Sequence, residues 1–216
     1  MVKVMDTQYY KYPRTPHLPW SPGADEDDII IDTVDSFVGK EVVVTEKMDG
    51  ECTTMYKDHI HARSINSGYH PSRTWVQNLH GQIKFQMDDD MRLCGENMFW
   101  VHSVVYTGLP SYFLLFNVWE GTRAFSWDET MAVAKRFNLD TVPVLYRGEF
   151  DEDAIKALWN DDMYDEHEGY VVRIADSFQL EDFQSSIAKF VRKNHVQTDE
   201  HWMRSGGELN MLKVKR

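Results

Sequence analysis

The stretch "TEKMDGE", Thr45 to Glu51, closes the apolar run Val42, Val43 and Val44 with a lysine among acidic neighbours and then a turn at Asp49 and Gly50. Three β-branched residues in succession predict a buried strand, and Gly50 predicts the turn that leads out of it. A lysine at such a strand end has two readings. It either snorkels to solvent along apolar surface, or it is an amine held in a pocket for chemistry. The rest of the chain has to decide between them.

Working outward, "ECTTMYKDHIHARS" continues with β-branched residues and reads as a hairpin with, or a successor to, the first strand. Trp75, Leu79 and Ile83 recur every four residues after Pro71 and predict a helix. "MRLCGEN" reads as a short strand ending at Gly95, and "YFLLFNVWEG" as a strand buried on both faces. Ser126 and Glu129 form a capping box for a helix reaching about Phe137. "TVPVLYRG" predicts a strand and "DEDAIKALW" a helix whose acidic start suits the helix dipole. "EGYVVRI" and "SIAKFVRK" predict two further strands, and "TDEHWM" a short terminal helix. Ahead of all this, "YPRTPHLPWSPG" reads as an extended, ordered arm whose aromatics pack. The sum is a mixed α+β domain in which strands predominate.

Composition narrows the function. At 216 residues the chain fits one domain with a sizeable core, and no window approaches the length of an apolar membrane span. The N-terminus lacks the apolar segment of a signal peptide, which predicts a cytoplasmic protein. Cys52 and Cys94 are too few for a disulfide framework and are expected as reduced, half-buried thiols. A net charge of −12 argues against an extended nucleic-acid groove, yet the acids fall in runs such as "ADEDD" and "DEHE", which leaves room for a local basic cleft. His59 and His61 alternate on one strand but have no cysteine or acidic partner at ligand spacing, so zinc is disfavoured. Ser72 and Arg73 open a helix, where they either hold a phosphate or simply cap. The "LKVKR" at the C-terminus is a small basic patch that touches a nucleic acid or nothing.

Five short blocks follow in fixed order: "EKMDG", "HARS", "CGEN", "FLLFNVW" with "EGYVVR", and "AKFVRK". Each lines or ends a predicted strand and sets a polar group beside apolar ones, as a pocket on a sheet requires. In this order, from about Val42 to Lys193, the sequence resembles the covalent nucleotidyltransferase superfamily, and most of all ATP-dependent RNA ligases of the phage RNA ligase 2 type. The resemblance implies an α+β adenylyltransferase (ATP-grasp-like nucleotidyltransferase) domain with antiparallel sheets flanked by helices. It would span residues 1–216, with an arm at 1–40, a motif-bearing core at 41–193 and an extension at 194–216. After Lys193 only 23 residues remain, too few for a C-terminal OB-fold.

The resemblance also implies roles. Lys47 would attack the α-phosphate of ATP and carry AMP. Glu46 would help bind the nucleotide, Arg63 would contact the ribose and later the RNA end, and Glu96 the ribose hydroxyls. Phe116 would stack on adenine and Val171 would pack its other face. Asp49 and Glu168 would hold Mg2+, or Mn2+, through water. Lys189 and Lys193 would neutralise the phosphate as pyrophosphate departs. The family's last motif usually reads K-x-K; here the lysines are four apart with Arg192 between them, so which cation meets the α-phosphate stays open. A free lysine is almost wholly protonated at neutral pH. Neighbouring cations such as Lys189 or Lys193 would favour the free amine, whereas Glu46 or Asp49 alone would oppose it.

The implied reaction joins an RNA 5′-phosphate to a 3′-hydroxyl, with an accessory protein as a further source of RNA-binding surface. The alternatives are a DNA ligase, an mRNA-capping guanylyltransferase, or a non-catalytic nucleotide- or RNA-binding module. A pure binder has no need of a nucleophile.

Overall fold

The computed structural model describes residues 8–193 and 207–214. Two antiparallel sheets carry the strands. In the smaller one, β1 (Glu41–Glu46) lies between β8 (Val144–Glu149) and β9 (Gly169–Ile174), and β11 (Ile187–Val191) pairs with the far side of β9. In the larger one, β2 (Glu51–Tyr56) pairs with β3 (Ile60–Ala62) and with β4 (Met91–Asn97), which leads through β5 (Phe113–Glu120) and β6 (Arg123–Ala124) to β10 (Phe178–Gln179). A two-residue β7 (Asp140–Thr141) runs parallel to β5. Four helices, α1 (Thr74–Ile83), α2 (Trp127–Phe137), α3 (Glu152–Lys156) and α4 (Phe183–Ser186), complete the α+β arrangement among the described residues.

The first two strands are successive but not a hairpin. β1 belongs to the smaller sheet and β2 to the larger, so Lys47 to Gly50 is where the chain crosses from one to the other. β4 runs two residues past Gly95, because the edge-to-edge ladder with β5 continues to Asn97 opposite Phe113. β5 is buried on both faces as its apolar run requires, with Phe116 half-buried and only the terminal Glu120 exposed.

Helix α2 begins at the expected capping box, in which Ser126 Oγ accepts from the Glu129 amide at 3.2 Å and Glu129 Oε2 accepts from the Ser126 amide at 2.7 Å. It ends at Asn138, the one non-glycine residue with a left-handed φ among those described. Helix α1 occupies the expected place with a rotated apolar face. Val76, His80 and Ile83 are buried while Trp75 and Leu79 pack only partly. His80 can take a buried place because its Nε2 lies 2.6 Å from the Tyr56 carbonyl. Helix α3 is shorter than its sequence pattern, stopping at Lys156. The "TDEHWM" segment lies outside the described residues. Cys94 is fully buried rather than half-buried, Cys52 is intermediate, and both are free thiols.

The N-terminal arm is built into the smaller sheet. The Lys189 amide donates to the Pro16 carbonyl and the Leu18 amide to the Lys189 carbonyl, each at 2.8 Å, so His17 pairs beside Lys189 on the outer edge of β11. On its other side His17 pairs with Ile30. Gly23 approaches so closely that a Cβ would stand 2.3 Å from the Arg192 carbonyl oxygen.

Gly169, at the start of β9, has φ +152°, and a Cβ there would meet the Phe190 carbonyl oxygen at 2.0 Å. No side chain can fill that space without parting β9 from β11. We expect Gly169→Ala to cost about 2 kcal/mol or more, and a thermal melt should show a loss of roughly 4–8 °C for a chain of this size. An unchanged melting temperature would refute this account of the strand junction.

Candidate active site

A cavity of about 620 Å³ opens between the two sheets. Alternation along the strands aims the side chains: Val171 and Arg173 from β9, and Ile187 and Lys189 from β11, line it in pairs two residues apart. Glu96 from β4 and Phe116 from β5 face it from the larger sheet, Arg63 follows β3, and Glu46 and Lys47 stand at the crossover. The structure therefore collects Glu46, Lys47, Arg63, Glu96, Phe116, Val171 and Lys189 around one space.

Glu168, buried at 5 % exposure, joins them by accepting the Lys47 ammonium on its Oε2. The backbone makes this pairing reproducible: the Lys47 amide donates to the Gly169 carbonyl at 2.9 Å, and the Arg192 amide to the Glu168 carbonyl at 3.0 Å. Glu46 is held in turn by His167, whose Nδ1 lies 2.7 Å from its Oε1.

Two residues lie elsewhere. Lys193 is exposed beyond the end of β11, and its side chain is not among those lining the cavity. Asp49 turns its Oδ2 to the backbone amides of Ser103 and Val104, at 2.6 and 2.8 Å, and so fastens the loop after β4. His59 and His61 join the rings of Tyr9 and Tyr56 in an aromatic cluster. Ser72 is buried and Arg73 reaches the cavity, where it forks onto Glu51 with contacts of 2.8 and 2.5 Å.

Sequence reasoning missed the arm's share of the wall. Tyr12, Pro13, Arg14, Thr15 and Asp28 all line the cavity, and Tyr12 meets the Phe116 ring edge-on at 5.1 Å between centroids. Proline and aromatic content marked the arm as ordered, but nothing local marked where it docks.

The charge of the cavity opposes that of the chain. Six Lys or Arg side chains line it against four Asp or Glu, within a molecule of net charge −12. A local basic cleft therefore does exist. Its interior balance is different around Lys47: burial favours the free amine, but Glu168, Glu96 and Asp49 outweigh it and hold the group above the ordinary lysine range. Proximity of the basic block to Lys47 thus does not activate it in the free chain. Burial pushes the Glu96 carboxyl up to about 8, against the pull of Lys47 and with the repulsion of Glu168, Asp49 and Glu51. Burial lowers Lys189, and the charge of Lys47 adds to the effect. Burial also pushes the Cys52 thiol well up, which makes it a poor nucleophile despite its place on the wall.

Among the described residues, no group of three or more His, Cys, Asp or Glu is arranged to hold a metal ion. Glu96 and Glu168 both act on the Lys47 amine, so carboxylate oxygens are present without a closed cage. That donor set suits a hard cation of the magnesium type, which keeps waters and shares substrate phosphates.

The site is thus a strand-end lysine clasped by a buried carboxylate, beside a cavity between two antiparallel sheets. The model of the family described as RNA ligase matches residues 40–191, and the chain belongs to that family. No curated protein matches. Among solved structures, a variant of Naegleria gruberi RNA ligase with AMP and Mn is similar at 16% identity and TM-score 0.54, covering 77% of this chain and 54% of that one. A second variant of the same enzyme, with ATP and Mn, gives 16% identity and TM-score 0.51, covering 76% and 53%. The chain spans about half the length of these structures, and at such identity they share its fold. No helix among the described residues is long and apolar enough to cross a membrane.

Proposed function

We propose that this chain is an ATP-dependent RNA ligase domain that adenylates itself on Lys47, passes AMP to an RNA 5′-phosphate and seals that end to a 3′-hydroxyl. The observation that carries the reading is the Lys47–Glu168 pair, set in a cavity that also presents Phe116, Glu96 and Lys189.

Residue chemistry supplies the steps. Phe116 and Val171 offer apolar faces to a base, and Glu96 offers a carboxyl to ribose hydroxyls. A bond forms between Lys47 Nζ and the α-phosphorus while the bond to the bridging oxygen breaks, and pyrophosphate leaves with the electron pair. The amine must shed a proton first, and Glu168 Oε2 is the acceptor already in contact with it. Lys189, on the cavity wall, meets the negative charge that grows on the departing phosphates. A divalent cation, Mg2+ or Mn2+, would be held by Glu168, with Asp49 if its loop contacts yield, and would supply Lewis-acid neutralisation of phosphate charge. Arg63 and Arg73 line the same cavity and offer cations to the phosphates of an RNA end. An accessory protein would serve where RNA needs more surface than this domain offers.

The test is incubation with α-labelled ATP and magnesium, followed by denaturing electrophoresis, and then sealing of an RNA bearing both ends. Label that stays with the chain and a joined product are expected; an unlabelled chain would refute the reading. Within that assay Phe116→Ala should raise the ATP concentration for half-maximal labelling about tenfold, since stacking on a base contributes roughly 1–3 kcal/mol. A shift below about twofold would remove Phe116 from the base site.

A further inference from the structure

The segment matched by the family model begins at residue 40, whereas five residues of the cavity wall come from before it. We infer that the N-terminal arm is a working part of the site, and that Asp28 on it is a positioning residue that sets the Lys189 ammonium for the adenylylation step. This rests on the ligase reading above and extends it to residues outside the family segment.

The argument begins with the backbone. A lysine on an outer strand leaves its backbone N–H and C=O unpaired on the open side, but both groups of Lys189 are taken by the arm, at Pro16 and Leu18, while its neighbours in β11 hold the ladder to β9. The arm then returns through Ile30, so the turn between Gly23 and Ile29 hangs directly beside the Lys189 side chain. Asp28 projects from that turn into the cavity wall, with Oδ1 at 3.9 Å from Lys189 Nζ and side chains only 21% and 19% exposed.

Asp28 is itself held. Its Oδ2 lies 3.1 Å from Nε2 of the buried His17, and the Asp25 amide donates to the same oxygen at 3.2 Å. His17 Nδ1 stands 2.8 Å from Ser21 Oγ, which takes the Val191 amide at 2.9 Å. Ser21, His17 and Asp28 follow the order of a hydrolytic triad, but Ser21 and His17 do not line the cavity. The chain of contacts instead ties the carboxylate to the motif strand at both ends, through Val191 and through Lys189.

A cation that must meet charge at one point needs a fixed direction as well as a charge. Long lysine side chains lose rotamer freedom when they are aimed, and a carboxylate already fixed in place carries part of that cost. Asp28 also favours the charged form of Lys189 against the burial and the Lys47 charge that oppose it. Glu168 faces the same amine from the β9 side, and Arg63 opposes the charge.

The experiment follows label incorporation from α-labelled ATP over an ATP series in four chains: wild type, Asp28→Asn, Asp28→Glu and Asp27→Asn. Asp28→Asn has the same shape and keeps the turn, and a thermal melt checks that it folds. We expect its maximal rate to fall about tenfold with KM for ATP changed less than about threefold, because Lys189 acts on charge that develops in the transition state. Asp28→Glu should recover at least about a third of the rate, and Asp27→Asn, on the exposed side of the turn, should match wild type. Wild-type labelling that Asp28→Asn leaves intact would overturn the inference alone. So would a loss carried equally by KM, or one that Asp28→Glu fails to restore, since either means the arm merely unseats. A wild-type chain that takes no label would instead sink the ligase reading and the inference with it.

Discussion

Lys47→Ala is expected to abolish retention of label from α-labelled ATP, and Lys47→Arg to abolish it equally. The two variants separate chemistry from structure. Alanine leaves the buried Glu168 carboxylate without its partner, which carries a stability penalty of about 1–3 kcal/mol. Arginine restores an ion pair but has no amine that gives up a proton at neutral pH, so it should melt near wild type and still take no label. Full labelling of either variant would move the nucleophile elsewhere. Equal labelling of wild type by GTP would favour a capping guanylyltransferase over a ligase.

The second large effect separates two glutamates of one acidic run. Glu168→Ala should lower the adenylylation rate about 100-fold or more, whereas Glu166→Ala should stay within about threefold of wild type. Glu168 is buried against the Lys47 amine, at the head of β9. Glu166 is exposed on the preceding turn, its amide bonded to the Met163 carbonyl at 3.2 Å. Removing the first takes away the carboxylate that holds the amine and that the proposed mechanism uses to accept its proton. Equal losses from both substitutions would reduce the run to bulk charge.

Much of this was legible in the sequence, for physical reasons that differ by residue. Val42 to Val44 announced a buried strand because β-branched side chains pack on a pleated surface, and Ser126 with Glu129 announced a helix start because the box satisfies its own orphan amides. The candidate site residues were read as an ordered set, and seven of them line a single cavity. The state of Lys47 was not. Its proton affinity is decided by which charges the fold brings nearest, and Glu168 lies 121 residues away in the chain. Lys193 shares strand parity with Lys189, so alternation alone would aim both the same way; β11 ends at Val191 before parity can act. Asp28 carried no local signal at all, since an acidic turn reads the same whether it faces water or a lysine.

The crossover at Lys47 to Gly50 gives the molecule a mechanical property. Glu168 stands just before β9 of the smaller sheet and Glu96 lies in β4 of the larger, and Lys47 sits on the seam between them, clasped to the first and within the field of the second. Any parting of the sheets draws one carboxylate away from the amine and leaves the other in place. The width of the cleft therefore sets which carboxylates face the amine, and on the proposed reading a load that widened it would change the charge at the seam where the chemistry occurs.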